Sequence, residues 1–186
     1  MKFLDKLKIE YPIPWKLSIW GGSEVEEPLE DICSLVESCV EELASDLLLT
    51  GYIQANGMST KMPEGTVTVS SAMLSGIFPF QGNRLLKTTY DKANNVCYLR
   101  YYPATICYKR KLLVEDLDNL QGDQLIFCKC YILSKMAAKE LTVLKTANLN
   151  VDNGSIDLSV LQDFYSKMLE KYSSLKDEIL MYSTVY

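Results

Sequence analysis

Residues 123–145 read DQLIFCKCYILSKMAAKELTVLK, and this stretch decides how the rest of the chain must fold. It predicts a helix over 123–146 whose apolar residues cover nearly every side. These residues are Leu125, Ile126, Phe127, Cys128, Tyr131, Ile132, Leu133, Met136, Ala137, Leu141 and Leu144. A helix that is apolar on most sides lies at the centre of a fold or of an assembly. We therefore expect the other elements to be arranged around this helix.

The C-terminal stretch predicts a second long helix, over 156–182. Its apolar and tyrosine side chains follow alternating steps of three and four residues, which is the pattern of a helical seam. The seam consists of Leu158, Leu161, Tyr165, Met168, Tyr172, Leu175, Ile179 and Tyr182. It packs either on the core of its own chain or against another subunit. Its three tyrosines favour an interface, because Tyr buries a large area and keeps a polar tip.

The N-terminal side predicts an arm followed by a helix. Residues 1–22 form the arm, where Tyr11-Pro12-Ile13-Pro14-Trp15 favours an extended path because of its alternate prolines. Trp15 and Trp20 are its anchors, and they pack on the core of the same chain or on a neighbour. Ser23 and Glu26 fit a capping box, and the amphipathic pattern that follows predicts a helix over 24–49.

Between these helices, the pattern favours β-structure over 66–110. Residues 66–70 alternate as a strand does, 91–94 form a polar turn between two strands, and Pro103 precedes a further strand. Residues 53–64 are typical of a loop.

Taken together, these elements predict an α+β fold that is mainly α. It has three main helices, a small antiparallel sheet inserted as a hairpin, and the extended arm. The predicted organisation is therefore the arm over 1–22 and a single domain over 23–186.

Composition excludes several kinds of chemistry. The 186 residues include no histidine, which excludes His-based acid–base catalysis and His-ligated metals. The net charge of −5 argues against a protein whose main task is gripping nucleic-acid phosphates. The six cysteines lack metal-site spacing and are interpreted as small buried apolar residues in a reducing compartment, the alternative being a cross-strand pair of Cys97 with Cys107. The sequence predicts no cofactor, no metal and no catalytic residue, and we expect the protein not to be an enzyme.

Charge is divided between two stretches of the chain. Residues 24–46 contain nine acidic residues and no Lys or Arg, whereas residues 84–111 contain seven basic residues and one acid. Such blocks steer a docking partner and fix its register, or they are two solvated faces. In a homo-oligomer, the acidic helix of one subunit would face the basic sheet of the next.

Tyrosines are concentrated in the predicted sheet, at Tyr90, Tyr98, Tyr101, Tyr102 and Tyr108. They suit either base stacking or the strand preference of aromatic residues, and the acidic total favours the second interpretation. Near the N-terminus we expect no signal peptide, because charged residues interrupt the apolar ones there, and we expect no membrane-spanning segment.

The order of these elements resembles a known class of viral proteins. The features that carry the resemblance are the arm, the acidic helix, the strands around YYPATICYKR (101–110) and the two long helices beginning at 122 and 156. Over residues 24–182 the layout is similar to the head–tail connector or adaptor proteins in the neck of tailed bacteriophages, including ring proteins of gut crAss-like phages. That family has no catalytic residues. The larger β-region and the long arm depart from minimal connectors, so the resemblance does not single out one neck ring.

The resemblance implies a structural virion protein that forms a ring, commonly of twelve copies, made in the host cytoplasm and placed in the neck. The ring joins the portal protein to the tail or other neck proteins, and double-stranded DNA passes through it without sequence readout. An acidic wall would repel the DNA phosphates. A set of candidate interface residues follows: Trp15, Trp20, Leu161, Tyr165, Met168, Tyr172, Leu175, Ile179 and Tyr182. The alternative is a non-viral cytoplasmic adaptor or scaffold that acts through its tyrosine-rich surface.

Overall fold

The computed structural model describes residues 2–21, 28–74, 85–146 and 158–184. The chain divides into two compact units. The helical unit comprises Met1–Asp46 and Leu113–Tyr186, and the strand unit comprises Leu47–Leu112.

The described part of the helical unit contains four α-helices. They are α1 (Lys2–Glu10), α2 (Pro28–Leu43), α3 (Gly122–Thr146) and α4 (Leu158–Thr184). Short 3-10 turns lie at Trp15–Leu17 and Val114–Asp116. Helix α3 contributes more buried apolar residues than any other described helix, and its Phe127, Ile132, Leu133 and Met136 are almost completely buried. The prediction that α3 is the central helix is therefore confirmed, with the helices of its own unit around it.

The first half of the arm is helical rather than extended. Phe3, Leu4 and Leu7 are buried on one face of α1, at the spacing of an amphipathic helix. The α1 N-terminus is capped from outside the helix, because the Phe3 N–H donates to the Asp118 carboxylate over 2.8 Å. Pro12, which lacks a backbone N–H, follows the end of α1.

The described part of the strand unit contains seven strands in two antiparallel sheets. The strands are β1 (Leu48–Ala55), β2 (Ser59–Lys61), β3 (Thr66–Leu74), β4 (Leu85–Leu86), β5 (Thr89–Asp91), β6 (Val96–Tyr98) and β7 (Ala104–Lys111). The first sheet has the order β1-β7-β3-β4, and the second has the order β2-β6-β5. The register is set by pairs such as Ala55 with Ala104 and Cys97 with Thr60. The predicted turn over 91–94 connects β5 and β6, which do form a hairpin.

Small residues and one tyrosine build the core of the strand unit. Ala55, Ala72 and Ala104 are fully buried there beside Ile106 and Tyr108. The Tyr108 ring lies directly over Gly51, where an added Cβ would come within 2.4 Å of Tyr108 Cζ. A side chain at position 51 would therefore force the Tyr108 ring to move.

The predicted fold class was wrong. The described residues form four helices and two sheets, instead of three main helices with one small inserted sheet, and the arm is not extended. The error over the arm arose because its prolines begin only at position 12, downstream of an amphipathic turn. The chain remains α+β, but strands make up a whole compact unit.

The boundaries differ from the predicted ones mainly before residue 66. Helix α2 ends at Leu43 instead of 49, and β1 and β2 occupy much of the stretch expected to be the end of a helix and a loop. Helices α3 and α4 lie close to the predicted 123–146 and 156–182. The predicted cap at Ser23 and Glu26 lies outside the described residues.

Candidate functional site

The predicted interface residues divide into two groups. Trp20 and Leu161 are buried within the chain itself, so the structure leaves neither of them for a neighbour to cover. The half-buried residues are Trp15, Tyr165, Met168, Tyr172, Leu175 and Ile179. The side chain of Tyr182 lies outside the described set.

A buried carboxylate holds the second half of the arm to α3. Glu140 is fully buried, and three groups of the arm donate to it: Tyr11 Oη over 2.5 Å, Ser18 Oγ over 2.8 Å and the Ile19 N–H over 3.1 Å. Ser18 Oγ also accepts from the backbone N–H of Trp20 over 3.2 Å. We call Glu140, Tyr11, Ser18 and Ile19 the arm clasp. Buried carboxylates are tolerated when donors surround them, and here the arm supplies those donors.

The aromatic side chains of the arm are fixed around the clasp. The Tyr11 ring makes edge-to-face contacts with Trp15 and with Phe164 of α4, at centroid distances of 6.4 and 5.8 Å. Burial is the main reason why the pKa of Tyr11 lies far above its ordinary value, and the hydrogen bond to Glu140 raises it further. Trp20 is covered by Lys139, whose ammonium lies 5.2 Å from the ring centroid. The Trp20 ring is thus covered by the chain's own atoms, whereas its indole N–H has no hydrogen-bond partner among the described residues.

The C-terminal seam faces the chain's own core at its centre. The Tyr172 ring stacks on Phe127 and also lies against Tyr131, both at a centroid distance of 4.8 Å. Lys176 of α4 pairs with Asp46 over 2.6 Å. Of the two interpretations of the seam, these contacts fit packing within the chain.

Helix α2 is joined to α3 through Glu42. Tyr131 and Lys135 both donate to its carboxylate, the lysine over 2.9 Å, and these hydrogen bonds hold the pKa of Glu42 below its usual range. Glu37 and Glu41 lie exposed on the same helix, beside exposed serines. Among the described side chains of α2, Glu37 and Glu41 are therefore exposed carboxylates to which no bond is assigned, and the helix contains no basic residue.

The strand unit exposes a cluster of large side chains at the β1–β2 and β6–β7 connections. Met58 is 66% exposed, Tyr101 62%, Tyr102 50% and Tyr98 46%. We call these four residues the tyrosine tip. Exposed Arg100 lies within the same segment. Tyrosine, methionine and arginine are the side chains that protein interfaces favour.

The backbone brings the two parts of the tyrosine tip together. The Leu99 N–H donates to the Met58 carbonyl over 2.9 Å, and Tyr98 pairs with Ser59 across the β2–β6 ladder. Cys97 and Leu99 are buried on either side of Tyr98, so strand alternation turns Tyr98 outward. The tip is therefore a surface anchored by the core of the strand unit.

The two units carry opposite charge. The strand unit has eight basic and two acidic residues in the sequence, for a net charge of +6. The helical unit has eleven basic and twenty-two acidic residues, for a net charge of −11. The charge division seen in two stretches of sequence thus extends to whole compact units.

The part of the chain that the structure describes offers little for metal or thiol chemistry. It contains no group of three or more acidic or cysteine side chains arranged to hold a metal ion. All six cysteines are free, and burial raises the pKa of the Cys128 thiol to about 12 and that of Cys39 to about 11. Such thiols stay protonated and react poorly as nucleophiles near neutral pH. Among the same described residues, no helix has the length and apolar character needed to cross a membrane.

Sequence reasoning missed Glu140 and Met58. A signal for Glu140 was present, because helical spacing places position 140 on the same face as Met136 and Ala137, where a carboxylate requires donors. Met58 lay in a stretch interpreted as a loop, and only the register of β2 with β6 brings it beside Tyr98.

No protein-family model matches the chain, and no curated protein matches it.

Proposed function

We propose that this chain is a structural virion protein that forms a ring in the neck of a tailed phage, joining the portal to the tail. The observation that carries a binding role is the tyrosine tip, an exposed group of large side chains on a unit with its own core. The resemblance of the layout to connector proteins is the reason for proposing that this binding takes place in the phage neck.

The charge of the helical unit supports the passage of DNA. With twice as many acidic as basic residues, this unit repels phosphates when it lines a channel. A ring through which DNA passes requires such a wall, because a basic lumen would retain DNA electrostatically. In this proposal DNA is cargo that passes through the ring and is not read.

The proposal is tested by measuring the mass of the purified protein alone and in the presence of portal protein. A ring component forms a closed oligomer by itself, or it binds the portal protein and forms the ring on it. A protein that stays monomeric at every concentration and does not bind portal protein contradicts the proposal. An electron micrograph of the portal mixture shows directly whether the added mass is a ring.

A second candidate is a cytoplasmic adaptor that binds its partner transiently through the same tip. The arm clasp favours this candidate, because Tyr11 and Ser18 donate to Glu140 of the same chain and Trp20 is buried without a neighbouring copy. An adaptor of this kind is monomeric and ignores portal protein, so the same mass measurement separates the two candidates.

A further inference from the structure

We propose that the tyrosine tip of one copy docks on the outer face of α2 in a second copy, as a head-to-tail contact. This inference rests on the proposed self-assembly and names the two surfaces that meet. The first surface is the tip, with Arg100 beside it. The second is the exposed face of α2 that carries Glu37 and Glu41.

Charge selects the partner of the tip. The tip belongs to a unit of net charge +6, which favours an acidic partner surface, and the helical unit of a second copy carries −11. Within that unit, α2 is the suitable element because residues 24–46 include no Lys or Arg to repel Arg100. Glu42 already binds Tyr131 and Lys135, which leaves Glu37 and Glu41 for the neighbour.

Side-chain size fits the same pairing. The exposed face of α2 presents the short side chains of Ser34 and Ser38 beside the two carboxylates. Tyrosine rings pack well on such a face, and their hydroxyls donate to carboxylates at the rim. Arg100 supplies a planar guanidinium that carboxylates bind through two hydrogen bonds.

The contact joins different surfaces on the two copies, so it propagates. A head-to-tail contact gives a ring when the rotation from one copy to the next returns to the first copy, and otherwise it gives a filament. A self-complementary contact would stop at a dimer. The head-to-tail contact is therefore the type that a neck ring requires.

Two variants, each lacking one surface, test the pairing. The tip variant is Tyr101→Ala with Tyr102→Ala, and the helix variant is Glu37→Lys with Glu41→Lys. We expect each change to raise the concentration of half-assembly about tenfold or more, as loss of interface anchors does. An equimolar mixture of the two variants should form dimers, because one copy keeps an intact tip and the other an intact α2 face.

The control variants make the same kinds of substitution at exposed positions outside the two proposed surfaces. Tyr52→Ala removes a tyrosine that is 66% exposed in the same unit but lies outside the tip. Glu170→Lys with Glu178→Lys reverses two exposed carboxylates on α4. Both controls should assemble as the wild type does. A chain that combines Arg100→Glu with the helix variant should recover part of the assembly. In that chain the tip carries the negative charge and α2 carries the positive charge, so the two surfaces attract each other again.

The outcomes separate this inference from the proposed function. Wild-type assembly that neither variant weakens, or a mixture that yields no dimers, overturns the head-to-tail pairing and leaves a ring possible through other surfaces. A wild-type chain that never assembles and never binds the portal overturns the proposed function, and the pairing fails with it. Arg100→Glu that abolishes binding to a DNA duplex without changing the assembled mass assigns the tip to nucleic acid, which also overturns the pairing.

Discussion

The N-terminal arm and the tyrosine tip are both rich in aromatic side chains, yet the chain covers one and exposes the other. In the arm, Trp20 is 2% exposed and Tyr11 donates to a buried carboxylate. In the tip, no residue is less than 46% exposed. Aromatic content alone therefore does not identify an interface. A buried polar group that the aromatic residues satisfy, such as Glu140, marks the region that packs internally.

Removing the carboxylate of the arm clasp should cause the greatest loss of stability. Glu140→Ala leaves the donors of Tyr11, Ser18 and Ile19 buried without an acceptor, and each such group costs about 1–3 kcal/mol. We expect a loss of about 3–5 kcal/mol in the free energy of unfolding, measured by urea denaturation.

Two further variants control this result. Glu140→Gln keeps one carbonyl acceptor and should lose less than the alanine variant. Glu170→Ala, exposed on α4, should stay within about 0.5 kcal/mol of the wild type. A loss below about 1 kcal/mol for Glu140→Ala would show that the clasp does not hold the arm.

The second prediction concerns the core that anchors the tip. Gly51→Ala places a methyl group against Tyr108, and overpacking of this kind costs about 1–3 kcal/mol. The measurement is again the free energy of unfolding. Gly57→Ala is the control beside the tip, since an added Cβ there meets no atom within 4 Å. Equal stability of the two variants would contradict the close approach of the Tyr108 ring to Gly51.

Long-range pairing explains why the strand unit was less predictable than the helices. Helices α3 and α4 were predictable to within about two residues because their apolar periodicity is local. The stretch around β1 continued the pattern of the preceding helix, and only its pairing with β7 makes it a strand. The same holds for the sites, because the partners of Glu140 lie more than 120 residues away in sequence.

The third prediction uses alkaline pH to weaken the clasp. The pKa of Tyr11 is raised in the folded state, so the folded protein retains this proton above pH 10 whereas the unfolded chain loses it. The stabilisation is complete below the unfolded pKa of about 10 and is lost as pH rises toward the folded pKa. At pH 11 the loss should reach about 1.4 kcal/mol for this one group.

Comparison with Tyr11→Phe isolates that contribution. The buried thiols of Cys39 and Cys128 shift the wild-type curve in the same direction, but they are common to both proteins. The variant should be less stable at neutral pH and should fall less steeply between pH 9 and 11. Parallel curves for the two proteins would show that Tyr11 ionises as readily in the folded chain as in the unfolded one.

Replacing one tyrosine by alanine in each region should destabilise the arm and leave the tip almost unaffected. Tyr101→Ala should change the free energy of unfolding by less than about 0.5 kcal/mol, since its side chain is mostly in water already. Tyr11→Ala should cost about 3 kcal/mol or more, because it removes a buried ring and a donor to Glu140. If Tyr101→Ala destabilised the chain as much as Tyr11→Ala, the tip would belong to the folding core. A binding role requires instead that the tip can be removed without loss of the fold, because exposed anchors contribute their free energy only when a partner covers them.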